Sequence, residues 1–317
     1  MTNWNTPNPP ESDPSAMTRP VQTMPRVEQY QQVAVVRRRR RGAGCFQTGC
    51  LGMLLALLLV VLTGLAYLLA PLRTNFLVLG IDRVPDGSAV GRSDTMLLVS
   101  VIPLNPDVHM LSIPRDLWVN VPGVGENRIN TAHFFAEASL AGSGPAAAVD
   151  TVEQNFGVDV PYYIRFQFEG FMRVVDAFGG VTVNLPEDMG GYIAGEHLLN
   201  SEQALAFVRD RQGGDDFFRM EHAQILIRSV IRQVISPSSW GRLPAVAEVA
   251  RQSMDTNLPV WHWPRLGLAF LRAGSGGIDS RTIGRDMVTP FTTSGGASVL
   301  QPNWEQINPL LFEMFNQ

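Results

Sequence analysis

An apolar stretch of the sequence, residues 91–117 (GRSDTMLLVSVIPLNPDVHMLSIPRDL), has an arginine close to an aspartate at each end. Arg92 stands beside Asp94, and Arg115 beside Asp116. Guanidinium groups bind phosphate oxygens in bidentate fashion, and carboxylates hold Mg²⁺ or Mn²⁺, hard cations that bridge phosphates. Arginines and such a cation together can neutralise charge that develops on a leaving pyrophosphate. These residue types therefore predict a metal-assisted phosphoryl-transfer site.

A solvated ion pair is the competing interpretation for any one of these residues, because an exposed Arg–Asp pair contributes only about 0–1 kcal/mol to stability. The whole set is harder to explain in that way, since seven charged residues flank predicted strand ends or a predicted helix start. Ligand sites in open α/β sheets lie at strand ends. The seven are Asp82, Arg92, Asp94, Arg115, Arg209, Arg211 and Arg219.

The apolar stretch is predicted to form a β-hairpin that brings its charged ends together. Residues 95–102 and 108–113 have strand composition, and Asn105-Pro106-Asp107 between them is a turn signal. In an antiparallel hairpin, the residues before the first strand and after the second lie at the same end. An earlier strand over residues 75–80 would end at this edge if it pairs antiparallel with the next strand, and Asp82 would then join the group.

Strands and helices alternate along the rest of the chain, which predicts an α/β fold with a mixed central β-sheet flanked by helices, an α-β-α sandwich. Asn200 to Gln203 resembles a capping box. Arg219 falls in the first turn of a long helix that Asp215 or Asp216 caps, which makes this helix start a candidate anion site. Helices are predicted over 146–156, 169–178, 200–208, 215–235 and 302–315, with two or three more in 240–273, and strands over 162–168 and 181–185.

Other chemistries lack their residues. All 25 basic residues are arginine, which removes mechanisms that need a lysine. The sequence has no G-x-S-x-G or H-E-x-x-H motif, and its five histidines have no ligand spacing. Gly123-Val-Gly125 lacks the third glycine of a dinucleotide fingerprint, and no helix is predicted to start there. His222 lies one turn beyond Arg219 and is interpreted as a surface histidine.

Residues 50–70 are predicted to form an uncleaved transmembrane helix, preceding the α/β domain. They include no charged residue, and about 20 apolar residues cross the ~30 Å of bilayer hydrocarbon. A cleaved signal peptide is the alternative, although this run exceeds an h-region of roughly 7–15 residues. Arg37–Arg41 precede the span, so the positive-inside rule puts the N-terminus in the cytoplasm. Nucleic-acid binding by these arginines is disfavoured by their position.

The chain is therefore predicted to have three parts in the cell membrane. Residues 1–49 form a disordered cytoplasmic tail that ends in the Arg-rich run, 50–70 the span, and 71–317 an extracytoplasmic catalytic domain. The domain has 18 arginines against 26 acidic residues, a net charge of −8. Binding to nucleic acid is not expected of such a domain, and an anion must be bound by a local cluster of arginines.

Several motifs together resemble the LytR–CpsA–Psr family. They are VLGIDR, GRSDTMLL, SIPRDLWVNVPGVGENRIN, GFMRVVDAFGGVTVNLP and LNSEQALAFVRDR…DDFFRMEHAQ, with VLQPNWEQI near the end. The resemblance is strong over roughly residues 74–235. It implies a membrane-anchored phosphotransferase of cell wall biogenesis, which moves a glycopolymer of teichoic acid, capsule or arabinogalactan type from a polyprenyl-pyrophosphate carrier to peptidoglycan. It also implies a hydrophobic pocket for the lipid tail.

The resemblance assigns roles to the charged residues. It implies that Asp82 and Asp94 hold Mg²⁺ (or Mn²⁺), that one of them helps to activate the acceptor hydroxyl, and that Arg92 and Arg115 act with them in catalysis. The implied pyrophosphate ligands are Arg92, Arg115, Arg209, Arg211 and Arg219.

The sequence departs from the family pattern after Arg219. The family commonly has an arginine and a glutamine where His222 and Ala223 stand, and Gln224 is the candidate substitute in the pyrophosphate site. Arg128 stands where the family often has lysine. Two alternatives remain open. One is a pyrophosphatase that uses water as the acceptor with the same residues, and the other is a non-enzymatic membrane regulator of the cell envelope.

Overall fold

The computed structural model describes residues 44–81, 90–103, 107–210, 216–274 and 276–315. The predicted tail with its arginine run, Asp82 and Arg211 lie outside the described residues. The chain divides into two compact units between Leu55 and Ala56, within the first helix, α1 (Gly44–Leu69). In α1, Cys50–Leu69 is long and apolar enough to cross a membrane, which agrees with the predicted span.

The second unit alternates strands and helices. In its described part the strands are β1 (Thr74–Ile81), β2 (Ser93–Ile102), β3 (Asp107–Ser112), β4 (Trp118–Val121), β5 (Gly125–Arg128), β6 (Tyr162–Gln167), β7 (Val181–Leu185), β8 (Gly195–Leu199), β9 (Met254–Thr256), β10 (Ile278–Thr282), β11 (Val288–Thr292) and β12 (Ser298–Pro302). The helices after α1 are α2 (Thr131–Ser139), α3 (Gly144–Phe156), α4 (Phe168–Phe178), α5 (Ser201–Arg209), α6 (Asp216–Ile235), α7 (Leu243–Ser253), α8 (Trp263–Ala273) and α9 (Trp304–Phe315).

The central sheet is mixed and has the strand order β10-β3-β2-β1-β6-β9. β2 pairs antiparallel with both β1 and β3, so the predicted hairpin and its pairing with the first strand are confirmed. β6 lies parallel to β1, and β10 lies parallel to β3. The carboxyl ends of these four strands and the start of β2 therefore meet at one edge of the sheet, which we call the site edge.

Both faces of the sheet are buried under helices. In β1, Leu77 and Leu79 point to a core completed by α3 and α9, whereas Phe76 and Val78 point to a core completed by α6 and α8. Strands buried on both faces are apolar at nearly every position, which explains the sequence of β1. The predicted α-β-α sandwich is confirmed.

Two local predictions agree with the structure. The Gly123-Val-Gly125 segment joins β4 and β5 in a hairpin, where both glycines have positive φ, 75° and 93°. No helix starts at this segment, as expected, because β5 continues to Arg128, and α2 begins only at Thr131. Asn200 and Gln203 form the predicted capping box at the start of α5.

Candidate active site

Arg115 lies among three carboxylates at the site edge, in the turn that follows β3. Its Nη1 donates to Asp94 Oδ1 at 2.5 Å. Its Nε lies 2.9 Å from Asp216 Oδ1 and 3.6 Å from Asp116 Oδ2. The contact with Asp216 is ionic rather than a hydrogen bond, because the Nε–H is not aligned with the carboxylate. Burial lowers the pKa of Arg115, but the carboxylates outweigh it and raise that pKa overall, so the guanidinium stays charged.

Arg219, in the first turn of α6, joins the same cluster from the other side. Its Nη1 donates to Asp216 Oδ1 at 3.1 Å, and its Nη2 lies 3.9 Å from Asp94 Oδ1. The side chain is almost fully buried. Burial raises the pKa of Asp216, although Arg115 and Arg219 oppose that rise. Asp216 therefore links the two arginines from the first residue of α6.

Asp116 extends the cluster to Arg128, whose Nε lies 3.1 Å from Asp116 Oδ1. Arg128 also donates to the Ser298 carbonyl at 2.8 Å, which fixes it against β12. The predicted site set omitted Asp116, Asp216 and Arg128. Two of them could have been found from the sequence. Asp116 directly follows Arg115, and Asp216 stands three residues before Arg219, at a spacing that allows an ion pair on a helix.

The structure brings only part of the predicted set together. Asp94, Arg115 and Arg219 are in mutual contact, whereas Arg92 is exposed and lies over the Phe134 ring, 5.9 Å from its centroid. Among the predicted residues, Asp82 and Arg211 are outside the described part of the chain.

Arg209 lies at the apolar side of the site. Its guanidinium carbon is 5.1 Å from the centroid of the Phe168 ring. Arg209 is the last residue of α5 and is exposed, and its guanidinium makes a cation–π contact with this ring.

Gln224 is turned away from the arginines. Its amide nitrogen donates to Ser112 Oγ at 2.8 Å, to the Arg281 carbonyl at 2.6 Å and to Thr282 Oγ1 at 3.1 Å. These contacts join α6 to β3 and β10. No contact between Gln224 and the arginine cluster therefore supports its predicted role as a phosphate ligand. Ser112, to which Gln224 donates, lines the recess beside the cluster.

His222 is buried, so its interpretation as a surface histidine was wrong. Its ring stacks on Phe207 at 4.4 Å between centroids, and Nδ1 lies 2.9 Å from the Phe207 carbonyl. The imidazole therefore fills the core between α5 and α6. Ala223, the next residue, points to the site and lines it.

The charged cluster opens into an apolar cavity. A small recess beside the cluster is lined by Asp94, Arg219 and Ser112, and it shares Thr95, Val208 and Ala223 with the cavity. The cavity has two adjacent lobes, of about 210 and 520 Å³, whose walls share Val78 and three residues of α6. The first lobe is lined by Val78, Gly80, Thr95, Phe166, Phe168, Phe171, Val174, Leu205, Val208, Ala223, Leu226, Ile227, Val230 and Ile231. An anion at the cluster could therefore have its apolar part buried without leaving the site.

The far lobe continues away from the cluster toward α8. It is lined by side chains of the sheet, of α6 and of α8, and by Trp240. Such a long apolar cavity with charged groups at one end is suited to an amphiphile with an anionic head and a hydrocarbon tail.

A buried polar network supports the loop before β2. His133 Nδ1 lies 2.9 Å from the Gly91 carbonyl, and its Nε2 lies 3.2 Å from Arg165 Nη1. Since the guanidinium can only donate, Nε2 accepts and Nδ1–H donates to Gly91. The same Arg165 atom donates to Glu137 at 3.1 Å. His133 thus fixes the residue that precedes Arg92.

The donor chemistry at the cluster fits a hard cation. Mg²⁺ at phosphate sites is commonly held by one or two carboxylates, with phosphate oxygens and water as the other ligands. Asp94 supplies one such carboxylate beside the recess. The described residues include no group of three or more His, Cys, Asp or Glu that could hold a metal ion. A cation there would draw its other ligands from the substrate or from the predicted ligand Asp82, which lies outside the described residues.

Comparison with known sequences assigns the family. Residues 71–314 match the sequence model of the LytR_cpsA_psr family. The chain belongs to the LytR–CpsA–Psr family. It is 38% identical over 190 residues to the polyisoprenyl-teichoic acid–peptidoglycan teichoic acid transferase TagU of Oceanobacillus iheyensis, and the match covers 58% of each chain. It is 28% identical over 240 residues to the regulatory protein MsrR of Staphylococcus aureus, covering 73% of this chain and 71% of MsrR.

A solved structure of the family has the same fold. B. subtilis TagV superposes with a TM-score of 0.63 at 27% sequence identity, over 78% of this chain and 98% of TagV. The described part of this chain thus includes nearly the whole LytR–CpsA–Psr fold. His222 is taken up by the core, and Ala223 contributes an apolar side chain to the wall of the recess.

We expect a double-mutant cycle to measure the coupling between Arg115 and Asp216. Arg115→Met should lower the unfolding free energy at pH 7 by about 2 kcal/mol, between the values for exposed and fully buried pairs, because it leaves carboxylates unpaired. Asp216→Asn in addition should recover part of this loss. Chemical denaturation of the parent, the two single variants and the double variant measures the loss and its recovery. Arg251→Met, on the exposed face of α7, is the control. Additive losses would contradict the coupling.

We also expect acid to weaken the His133 network. Burial lowers the pKa of His133, so its contribution to stability is complete above pH 6.5 and is lost as pH falls below that value. Glu137 adds little to this loss, because its pKa is also lowered, from 4.5, so its contribution to stability is complete above pH 4.5 and is lost only below that value. Unfolding free energy should therefore decline between pH 7 and pH 5, and His133→Gln should flatten this decline. His197→Gln in β8 is the control, because His197 lies outside the His133 network. An unchanged slope in His133→Gln would contradict the account.

Proposed function

We propose that this protein is a membrane-anchored phosphotransferase that transfers a glycopolymer from a polyprenyl-pyrophosphate carrier to peptidoglycan. The observation that carries the proposal is the direct opening of the arginine–carboxylate cluster into a long apolar cavity. Arg115 and Arg219 suit a pyrophosphate, and the cavity suits a polyprenyl chain. The TagU relative, whose name describes the transfer of teichoic acid from a polyisoprenyl carrier to peptidoglycan, supports the assignment.

The donor would bind by exchanging partners at the cluster. Phosphate oxygens would replace the carboxylates of Asp94 and Asp216 as the partners of the Arg115 guanidinium. Asp216 is the carboxylate best suited to give way, because burial already raises its pKa and so disfavours its charged form. The two arginines would remain held close to each other by the start of α6 and the turn after β3.

The chemical step would be an in-line displacement at phosphorus. The oxygen of a peptidoglycan sugar hydroxyl forms a bond to the phosphorus that carries the glycopolymer, and the bond from that phosphorus to the bridging oxygen of the pyrophosphate breaks. Polyprenyl monophosphate leaves, and the hydroxyl proton passes to a carboxylate, for which Asp94 and Asp82 are the candidates. Arg115 and Arg219 stabilise the charge that develops on the leaving phosphate. A Mg²⁺ ion bound at Asp94 would supply further charge neutralisation.

The membrane topology is part of the proposal. Cys50–Leu69 has the length and composition of a single span, and Arg37–Arg41 before it favour a cytoplasmic N-terminus. The catalytic domain would then face the cell wall, where peptidoglycan is available. A regulatory role is the second candidate function, favoured by the similarity to MsrR.

The proposal predicts a specific product. The full chain in lipid nanodiscs is mixed with a polyprenyl-pyrophosphate-linked glycopolymer, peptidoglycan oligomers and Mg²⁺, and the products are followed by mass spectrometry. We expect a phosphodiester adduct together with polyprenyl monophosphate. Asp94→Asn and Arg115→Ala should each reduce adduct formation about 100-fold or more, because each removes charge stabilisation at the reacting phosphate. Chelation of Mg²⁺ should also stop the reaction.

Arg251→Ala is the matched control, because Arg251 forms an exposed ion pair within α7 and should leave turnover unchanged. Free glycopolymer phosphate without adduct would support the pyrophosphatase instead. The absence of both turnover and bound lipid would contradict the transferase and favour the regulator. Circular dichroism of each variant separates loss of activity from loss of folding.

A further inference from the structure

A short apolar turn before α8 is exposed although it carries a tryptophan. The 3-10 turn Val260–His262 has Val260 at 76% and Trp261 at 61% exposure. The segment around it, residues 256–264 (TNLPVWHWP), has no acidic residue and no arginine. Exposed apolar side chains that lie together on a surface commonly mark an interaction site.

This turn is tied to the end of the apolar helix α1. His262 Nδ1 lies 3.5 Å from the hydroxyl of Tyr67, which is in the last turn of α1, and His262 Nε2 lies 3.1 Å from the hydroxyl of Tyr162. The Trp261 ring is 6.5 Å from the His262 ring, and that ring is 6.2 Å from the Tyr67 ring. Val260 and Trp261 are therefore at the level where the predicted span ends.

Arg265 fixes this arrangement from inside the domain. Its guanidinium lies over the Tyr67 ring at 4.8 Å, and it donates to the Ala70 and Leu72 carbonyls at 3.2 and 2.9 Å. Arg265 is 1% exposed. The chain that leaves α1 is therefore held against α8, and the turn before α8 cannot move far from the end of α1 without breaking buried contacts.

We propose that Val260 and Trp261 insert into the headgroup region of the outer leaflet of the bilayer that α1 spans. The inference rests on the membrane topology proposed above. Tryptophan and tyrosine are enriched at this depth, because an amphipathic ring matches the boundary between hydrocarbon and water. The occupant of this surface is the lipid interface itself, since the turn is continuous, through His262, with Tyr67 at the end of the span.

Insertion of this turn would place the far lobe of the cavity next to the membrane surface. α8 follows the turn directly, and Trp263, Leu266 and Phe270 of this helix line the far lobe of the cavity. Trp240 and Leu271 line the same lobe and are half-exposed, so the lobe reaches the surface beside them. A polyprenyl chain could then pass from the leaflet into the cavity without crossing water, while the arginine cluster stays at the opposite end, toward the cell wall.

A location measurement tests the proposal independently of catalysis. The full chain with Cys45→Ser and Cys50→Ser receives one new cysteine, Val260→Cys, and is labelled with an environment-sensitive fluorophore in phosphatidylglycerol–phosphatidylethanolamine vesicles. Leu198→Cys, on a similarly exposed apolar residue of β8, is the matched control. We expect nitroxide groups at headgroup depth to quench the Val260 probe about threefold more than the Leu198 probe. Aqueous iodide should show the reverse order.

An activity measurement adds a second readout. Trp261→Asp should reduce transfer from a vesicle-embedded donor about tenfold, because a carboxylate at this depth opposes insertion, and should leave transfer from a short-chain, water-soluble donor unchanged. If the probe at Val260 has the same emission and is quenched to the same extent as the probe at Leu198, the proposal is overturned and the transferase assignment is unaffected. Equal loss of transfer with both donors would also overturn it. If no variant or parent transfers at all, the transferase fails and the quenching result still decides the membrane contact.

Discussion

Burial of both faces of the central sheet is the constraint on which the rest of the structure depends. β1 and β2 are covered by α3 and α9 on one side and by α6 and α8 on the other, so charged side chains have no stable place along these strands. The charged residues of these two strands are therefore confined to the strand ends, as Asp94 is in β2. Since β2 pairs antiparallel with β1 and β3, three such ends meet at one edge. On the α6 and α8 side, these two helices together with α4 and α5 enclose the apolar cavity that starts at this edge.

The sequence predicts most of this fold, because strong local patterns and the tertiary structure agree. β1 is apolar from Phe76 onward, Asn105-Pro106-Asp107 separates the next two strands in the sequence, and the Asn200 capping box starts α5 where expected. The hairpins β4–β5, β7–β8 and β11–β12 were not predicted. Of their strands only β7 was predicted; β5, β8 and β11 are short and mostly exposed or half-buried, so they lack the buried apolar alternation that identifies a strand.

The site was predictable only in part, because residue types indicate chemistry but not pairing. Asp94, Arg115 and Arg219 come together as the hairpin predicts, yet nothing local shows that Asp216 shares both arginines. Gln224 and His222 are polar residues on α6 that the core uses instead, through contacts to residues more than ten positions away. The packing of α6 on the sheet determines these long-range partners. The periodicity of one helix in the sequence does not predict that packing.

The central claim is that the arginine cluster and the apolar cavity bind two ends of one ligand. Calorimetry of isoprenyl pyrophosphates of increasing chain length, with the full chain in nanodiscs, tests it most directly. The account predicts affinity that rises at least about tenfold per added isoprene unit until the cavity is filled. It also predicts that Val230→Trp, which puts a bulky side chain into the wall that both lobes share, abolishes this rise, whereas Arg219→Met weakens all lengths alike. Affinity independent of chain length, or a rise that survives Val230→Trp, would contradict it.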